Sequence, residues 1–338
     1  MQANTGPVVS RSYRYRLHLV ADALVSVGAG VSYAAAADRA RAAAGRRAVT
    51  GDGTGTLVAE WVDAWAPTVL DALLPRPVLD TLVLDSTDFR WTDPRTGLTS
   101  REFAVLVAYG YTSTGTKMPL GALATTTTGT NDYCDLLQHL RLPAPPKSVV
   151  ADADPAIAAA VTRYWPATTP FLFRCEHHLR ARALRALALD NAAAPKGRWG
   201  RVLDTAFRRE EGWAEFCQRC RPLTHTTTWI EANTAQISAQ VKARPTLPPH
   251  YSNAGAESLA AALRDMYEHR SFALRNARRT NLLLGLACLH LNNLDDAGHY
   301  HRLIRATAEK NRGAAPQPQR LGRQGQTPPN DVTVATLH

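Results

Sequence analysis

Five apolar segments between residues 81 and 173 restrict the fold more than any other feature of the chain: "TLVLDSTDF" (81 to 89), "REFAVLVAYGY" (101 to 111), a stretch around 118 to 125, "SVVAD" (148 to 152) and "TPFLF" (169 to 173). Only the turn "TDPRTG" parts the first two, whereas helical patterns at 131 to 140 and from Pro155 to Trp165 separate the last three. Strands joined by short turns pair antiparallel; strands joined through helices run parallel. The spacing therefore predicts an α/β fold with a mixed five-stranded sheet, part antiparallel, flanked by helices.

The first segment carries an acid straight out of an apolar run. Side chains alternate along a strand, so Thr81, Val83, Asp85 and Thr87 share one face while Leu82, Leu84, Ser86 and Asp88 share the other. Asp85 and Asp88 cannot serve one site unless the strand breaks between them, and Asp85, nearer the apolar run, is the better candidate for chemistry. In "VVADADPAIAAAV", Asp154 precedes Pro155 and suits a helix N-cap. Asp152 falls at the carboxyl end of a strand, where α/β sheets present ligand-binding groups.

A third acid, Glu257, lies in "YSNAGAESLAAALRDMYEHR" near the first turn of a helix that Ser252 or Asn253 can cap and whose buried face is Leu259, Leu263 and Met266. A carboxylate there also gains from the helix dipole. Glu268, eleven residues on and about 16 Å along the axis, is out of reach of the same cluster. Three carboxylates on separate elements suit two Mg²⁺ (or Mn²⁺) ions, which take hard oxygen ligands and keep room for phosphate oxygens. Such a pair activates a water or hydroxyl and stabilises the leaving oxygen of a phosphodiester displacement.

Outside this region the chain reads as helical. "RLHLVADALVSVGAGVSYAAAADRARAAAGRR" gives two helices joined at Gly28-Ala29-Gly30, with Leu17, Val20, Leu24 and Val27 on one face and Ser32 as the second N-cap. The second helix ends in Arg39, Arg41, Arg46 and Arg47, so residues 1–50 read as a helix-turn-helix-like DNA-binding region or as a plain helical hairpin. Residues 51–77 read as a Gly-rich linker, "TGDGTGT", and a helix marked by Val58, Val62, Trp65 and Val69 and interrupted at Pro67. The sheet core is expected over 78–175 and again over 251–310, with all-helical residues 176–250 between. "LLLGLACLHL" (282 to 291) reads as a buried core helix, and 311–338, rich in Pro, Gln and Gly, as a disordered tail.

The net charge is +10, and of the 39 basic residues only Lys117, Lys147, Lys196, Lys242 and Lys310 are lysine. Arginine's planar fork suits phosphate, so a polyanion is a natural partner, and Arg275, Arg278 and Arg279 beyond the Glu257 helix are further candidates for phosphate contact. The five cysteines are too few for a disulfide framework. Cys175, His178, Cys217 and Cys220 have the residue types and i,i+3 spacings of a zinc site, although i,i+3 residues on helices also meet by packing alone. No apolar run is long enough for a membrane span, and "MQANTGPVVSRSYRYR" lacks the apolar core of a signal peptide, so a cytoplasmic protein is expected.

Taken together, "LVLDSTDF", "VVADADPAI", "FRCEHHLRARAL", "NAGAESLAAAL" and "RSFALRNARRTNLLLGLACLHLNNLDDAGHYHRLIR" resemble the DDE transposases of bacterial insertion sequences, in the branch related to Mutator-like elements, over residues 81 to 305. The resemblance implies a ribonuclease H-like core, an all-helical insertion before the catalytic Glu helix, and Asp85, Asp152 and Glu257 as metal-holding catalytic acids, with Asp154 an alternative to Asp152. The Cys-x-x-His of Cys175 and His178 is also a feature of that branch. Implied partners are double-stranded DNA, both element ends and target, and a second copy of the chain when ends are synapsed. The alternatives are a transposase-derived DNA-binding protein without catalysis and a ribonuclease H-like nuclease without strand transfer.

Overall fold

The computed structural model describes residues 17–45, 54–93, 95–192, 198–268 and 276–314. Its centre is a five-stranded sheet in the order β3-β2-β1-β4-β5. The strands are β1 (Thr81–Thr92), β2 (Thr99–Tyr111), β3 (Lys117–Thr125), β4 (Ser148–Ala151) and β5 (Phe171–Arg174). β1, β2 and β3 pair antiparallel, and β4 and β5 join parallel to β1. This is the mixed sheet the segment order predicts, and it is compatible with a ribonuclease H-like core.

Period-two alternation divides the sheet into two faces. Leu82, Leu84, Leu106, Ala108 and Val149 pack on one side against α4 (Thr130–Leu140) and α5 (Pro155–Tyr164). Val83, Phe89, Val105, Val107 and Val150 face the other side, which α10 (Ala254–Tyr267) and α11 (Ala277–Leu291) cover. Behind these two helices lie α1 (Leu17–Gly28), α2 (Tyr33–Ala43), α3 (Thr54–Leu73) and α12 (Ala297–Ala314), all within one apolar cluster. The amino-terminal helical pair is thus built into the main core. Its joint is tied there by Tyr267, whose hydroxyl donates to the carbonyl oxygens of Val27 (2.9 Å) and Gly28 (3.2 Å). Ser32 caps α2 as its sequence predicts, accepting from the Ala35 N–H at 3.2 Å.

Three boundaries differ from the sequence reading. Thr54 to Thr56, expected in a linker, form the first turn of α3, and that helix runs through Pro67 without a break. Proline denies the Asp63 carbonyl its helical partner, but Trp61, Val62, Trp65, Ala66 and Val69 are buried on both sides of it, and tertiary burial holds the helix together. At the other end α12 continues to Ala314, four residues into the expected tail; residues 315–338 lie outside the described residues. Among the described residues no helix is long and apolar enough to cross a membrane.

Between β5 and α10 come α6 (Glu176–Leu189), α7 (Arg198–Ala206), α8 (Glu210–Cys220) and α9 (Thr224–Ala243), which share an apolar cluster of their own around Leu179, Leu203, Phe216 and Ile237. They dock on the sheet through β5, an edge strand whose unpaired backbone groups need partners. Buried Gln240 on α9 supplies both kinds, accepting from the Arg174 N–H (3.0 Å) and donating to the Arg174 carbonyl (3.2 Å), while Gln236 donates to the Leu172 carbonyl (3.0 Å). Within the helical unit, a methyl group added at Gly212 would drive into the backbone carbonyl of Thr205. Backbone cannot rotate aside, so Gly212→Ala is expected to part α7 from α8 and cost about 1–3 kcal/mol, read as a lower denaturation midpoint.

Candidate active site

Asp85 and Asp152 are placed on neighbouring strands by the same logic. β1 and β4 run parallel with Val83 opposite Val150, and each acid stands two residues further along: Asp85 in the middle of β1, just past its last pair with β4, and Asp152 directly after the end of β4. The third acid comes from α10, whose first turn presses on β2: a methyl group at Gly255 would stand 2.6 Å from the Tyr109 ring. That close approach seats Glu257 within electrostatic reach of Asp85.

Each acid has a different protein partner. Asp85 accepts from the Ser86 N–H (2.8 Å) and from the Asn253 side-chain amide (2.8 Å). Asp152 accepts from the Ala153 N–H (2.6 Å) and from the Arg182 guanidinium of α6 at 3.1 and 3.2 Å. Glu257 is half exposed, with His178 Nε2 4.0 Å from its Oε1. Asp154 caps α5, accepting from the Ala156 N–H at 2.8 Å, the structural task its place before Pro155 predicts. Asp88 points to the opposite face and pairs with Arg101 at 2.8 Å. Glu268, at the far end of α10, accepts from the Arg90 N–H.

Burial raises the Asp85 carboxyl above the ordinary carboxylate range; the bonds from Ser86 and Asn253 and the charge on His178 oppose the rise, and Glu257 adds to it. Among the described residues no three Asp, Glu, His or Cys side chains converge closely enough to hold one metal ion. The donor chemistry nonetheless fits a hard cation: three carboxylates, from β1, the end of β4 and the first turn of α10, the most buried of them desolvated and bonded to a neutral amide rather than a basic side chain.

The four zinc candidates are not gathered. Cys175 is buried at the end of β5 against Asn253 and His178 stands by Glu257, whereas Cys217 and Cys220 lie within the packing of α8. Burial pushes the Cys220 thiol up to about 12, as expected of a packed cysteine.

Of the basic candidates, Arg39 is exposed on α2, and Arg41 pairs with Asp38 at 3.3 Å. Arg278 is exposed at the start of α11, while Arg279 forks onto Asp63 (3.1 and 3.2 Å from Nε) and braces α11 against α3. Arg46, Arg47 and Arg275 lie outside the described residues.

Two residues that the sequence does not single out for the site prove to touch the acids. Arg182 gave no signal, since nothing local ties it to a residue thirty positions earlier. Asn253 reads as a helix cap, and it does occupy the N-cap position, but its side chain makes no cap bond. An Asn four residues before a candidate acid, when the cap itself goes unused, is the signal that would find it.

No family model and no curated protein matches the sequence. Among solved structures, the Drosophila P element transposase strand transfer complex aligns with 86% of this chain and 80% of that chain, at 14% identity and a TM-score of 0.26, a likeness too slight to define fold or activity.

Proposed function

We propose that the chain is a DDE transposase that binds the ends of its own mobile element, cuts phosphodiester bonds there and joins the freed 3′ hydroxyl to target DNA. One observation supports this above the others: Asp85 and Asp152 each stand two residues beyond the paired Val83 and Val150 of neighbouring parallel strands, Asp85 within β1 and Asp152 just past β4, with Glu257 brought to Asp85 by a helix packed across β1 and β2.

Asp85, Asp152 and Glu257 would hold two Mg²⁺ ions, which supply an activated water or hydroxyl and stabilise the leaving oxygen. The chain's own part is placement. β1 and β4 fix two carboxylates through buried Leu82, Val83, Leu84, Val149 and Val150, and α10 fixes the third through Leu259 and Leu263. Arg182 covers Asp152, and a cation held there would have to share that carboxylate with it; the same guanidinium would suit a phosphate of the bound strand. Exposed Arg39 and Arg278 offer further phosphate contacts, which position DNA without reading its sequence.

The test is incubation of the full chain with the DNA that flanks its own gene, in Mg²⁺ and in EDTA. Metal-dependent cleavage at a terminal-repeat boundary is expected, together with joining of precut ends to a target. Cleavage without joining points to a nuclease; end binding without cleavage points to a silent DNA-binding derivative. Asp152→Asn is expected to abolish cleavage and Asp154→Asn to spare it.

A further inference from the structure

We infer that Asn253 is the positioning residue that sets Asp85 at a fixed distance from Glu257, and that Cys175 holds its amide in the orientation this requires. The inference rests on the proposed assignment of the two acids as metal-holding groups. Its basis is a three-residue chain of contacts: Asn253 Nδ2 donates to Asp85 Oδ2 (2.8 Å), and Asn253 Oδ1 accepts from Cys175 Sγ (3.1 Å). Asn253 is 1% exposed and Cys175 fully buried, so neither contact has water as a substitute.

Chemistry settles which end of the amide faces which neighbour. An ionised carboxylate only accepts, so the NH₂ group must face Asp85. The oxygen then needs a donor, and a thiol supplies one only while protonated. Burial raises the Cys175 thiol and keeps its proton in place, although the backbone N–H groups of His178, Asn253 and His177 point at the sulfur and work against the rise. Cys175 lies at the junction of β5 and α6, so the thiol ties the end of the sheet to the start of α10.

The same residue starts the helix that carries the third acid. The Asn253 carbonyl accepts from the Glu257 N–H at 2.9 Å, one helical turn on. Asn253 therefore bonds Asp85 through its side chain and Glu257 through its backbone, and the separation of the two acids is set through one buried residue. An ordinary cap would direct the side chain back onto its own helix. This side chain forgoes that bond for the carboxylate.

The experiment uses the full chain and Mn²⁺ as the probe. Mn²⁺ affinity by calorimetry, end-DNA affinity and Mg²⁺-dependent cleavage are compared for wild type, Asn253→Ala, Cys175→Ala, Cys175→Ser and Asp85→Asn. Positioning predicts that Asn253→Ala weakens Mn²⁺ binding by about 10–100-fold, the usual effect of removing a group that orients a ligand, and lowers kcat with end-DNA affinity unchanged. Cys175→Ala should move in the same direction, and Cys175→Ser, which keeps a donor, should restore binding; this pair decides the matter if Asn253→Ala fails to fold. Wild-type Mn²⁺ affinity in Asn253→Ala or Cys175→Ala, alongside loss in Asp85→Asn, overturns the positioning role alone. Unchanged Mn²⁺ binding in Asp85→Asn overturns the metal assignment beneath it.

Discussion

Asp85→Asn is expected to silence the protein and stabilise it in the same stroke. Removing a carboxylate that holds the reacting centre should cut end cleavage by at least about 10³-fold, with DNA affinity kept. The fold should gain about 0.5–2 kcal/mol at neutral pH, the usual yield when a site kept for function is relieved. The local bonds survive the change. The new amide oxygen accepts from the Ser86 N–H as the carboxylate does, and the Asn253 amide turns over so that its oxygen meets the new NH₂ and its nitrogen meets the Cys175 sulfur.

The sign with pH separates this from a generic packing effect. Burial holds the folded carboxyl above its ordinary range, so the folded protein binds that proton more tightly than the unfolded chain. The stability this contributes is fully present below the ordinary carboxylate range and is lost as pH rises through the raised folded value. Asparagine carries no charge at any pH. In metal-free buffer the variant's advantage in melting temperature should therefore be widest near neutrality and close as pH falls into the ordinary carboxylate range. A gap that stays constant with pH would sink the electrostatic account. Added Mg²⁺ should raise the melting temperature of the wild type and not of the variant, because a ligand stabilises only the state that binds it.

How much of this was legible beforehand depended on whether the signal was local. Strand order, the opposite faces of Asp85 and Asp88, and the capping role of Asp154 follow from period-two alternation and a proline, and all are read within a few residues. The continuity of α3 through Pro67 was not legible, because the proline is local whereas the burial that overrules it comes from partners in α1, α2 and α11. Arg279 looked free for phosphate because its partner, Asp63, is on a distant element. Arg182 and Asn253 escaped for the same reason: each meets its acid only after the sheet and the helices are assembled. Residue type identifies the acids; tertiary structure identifies what holds them.

The amino-terminal helices bear the other large expectation. If residues 1–50 were a module that only binds DNA, a chain starting at residue 54 would fold without them. The core predicts otherwise. Leu19, Val20, Leu24 and Val27 of α1 are each at most 5% exposed and share one cluster with Val83, Val105 and Val150 of the sheet. Burial of a Leu or Val side chain is worth about 1.5–3 kcal/mol, so the four together contribute on the order of 10 kcal/mol. That equals the whole net stability of a typical domain, about 5–15 kcal/mol. The truncation also strips cover from α11 and α12, both packed against α1, and leaves the Tyr267 hydroxyl without the Val27 and Gly28 carbonyls. The shortened chain is therefore expected to be insoluble or to show no cooperative melt by circular dichroism, and to lose joining of precut ends along with end binding. A soluble 54–338 fragment with a sharp thermal transition, and with strand transfer intact on precut ends, would restore the modular reading and move the catalytic core's boundary to the start of α3.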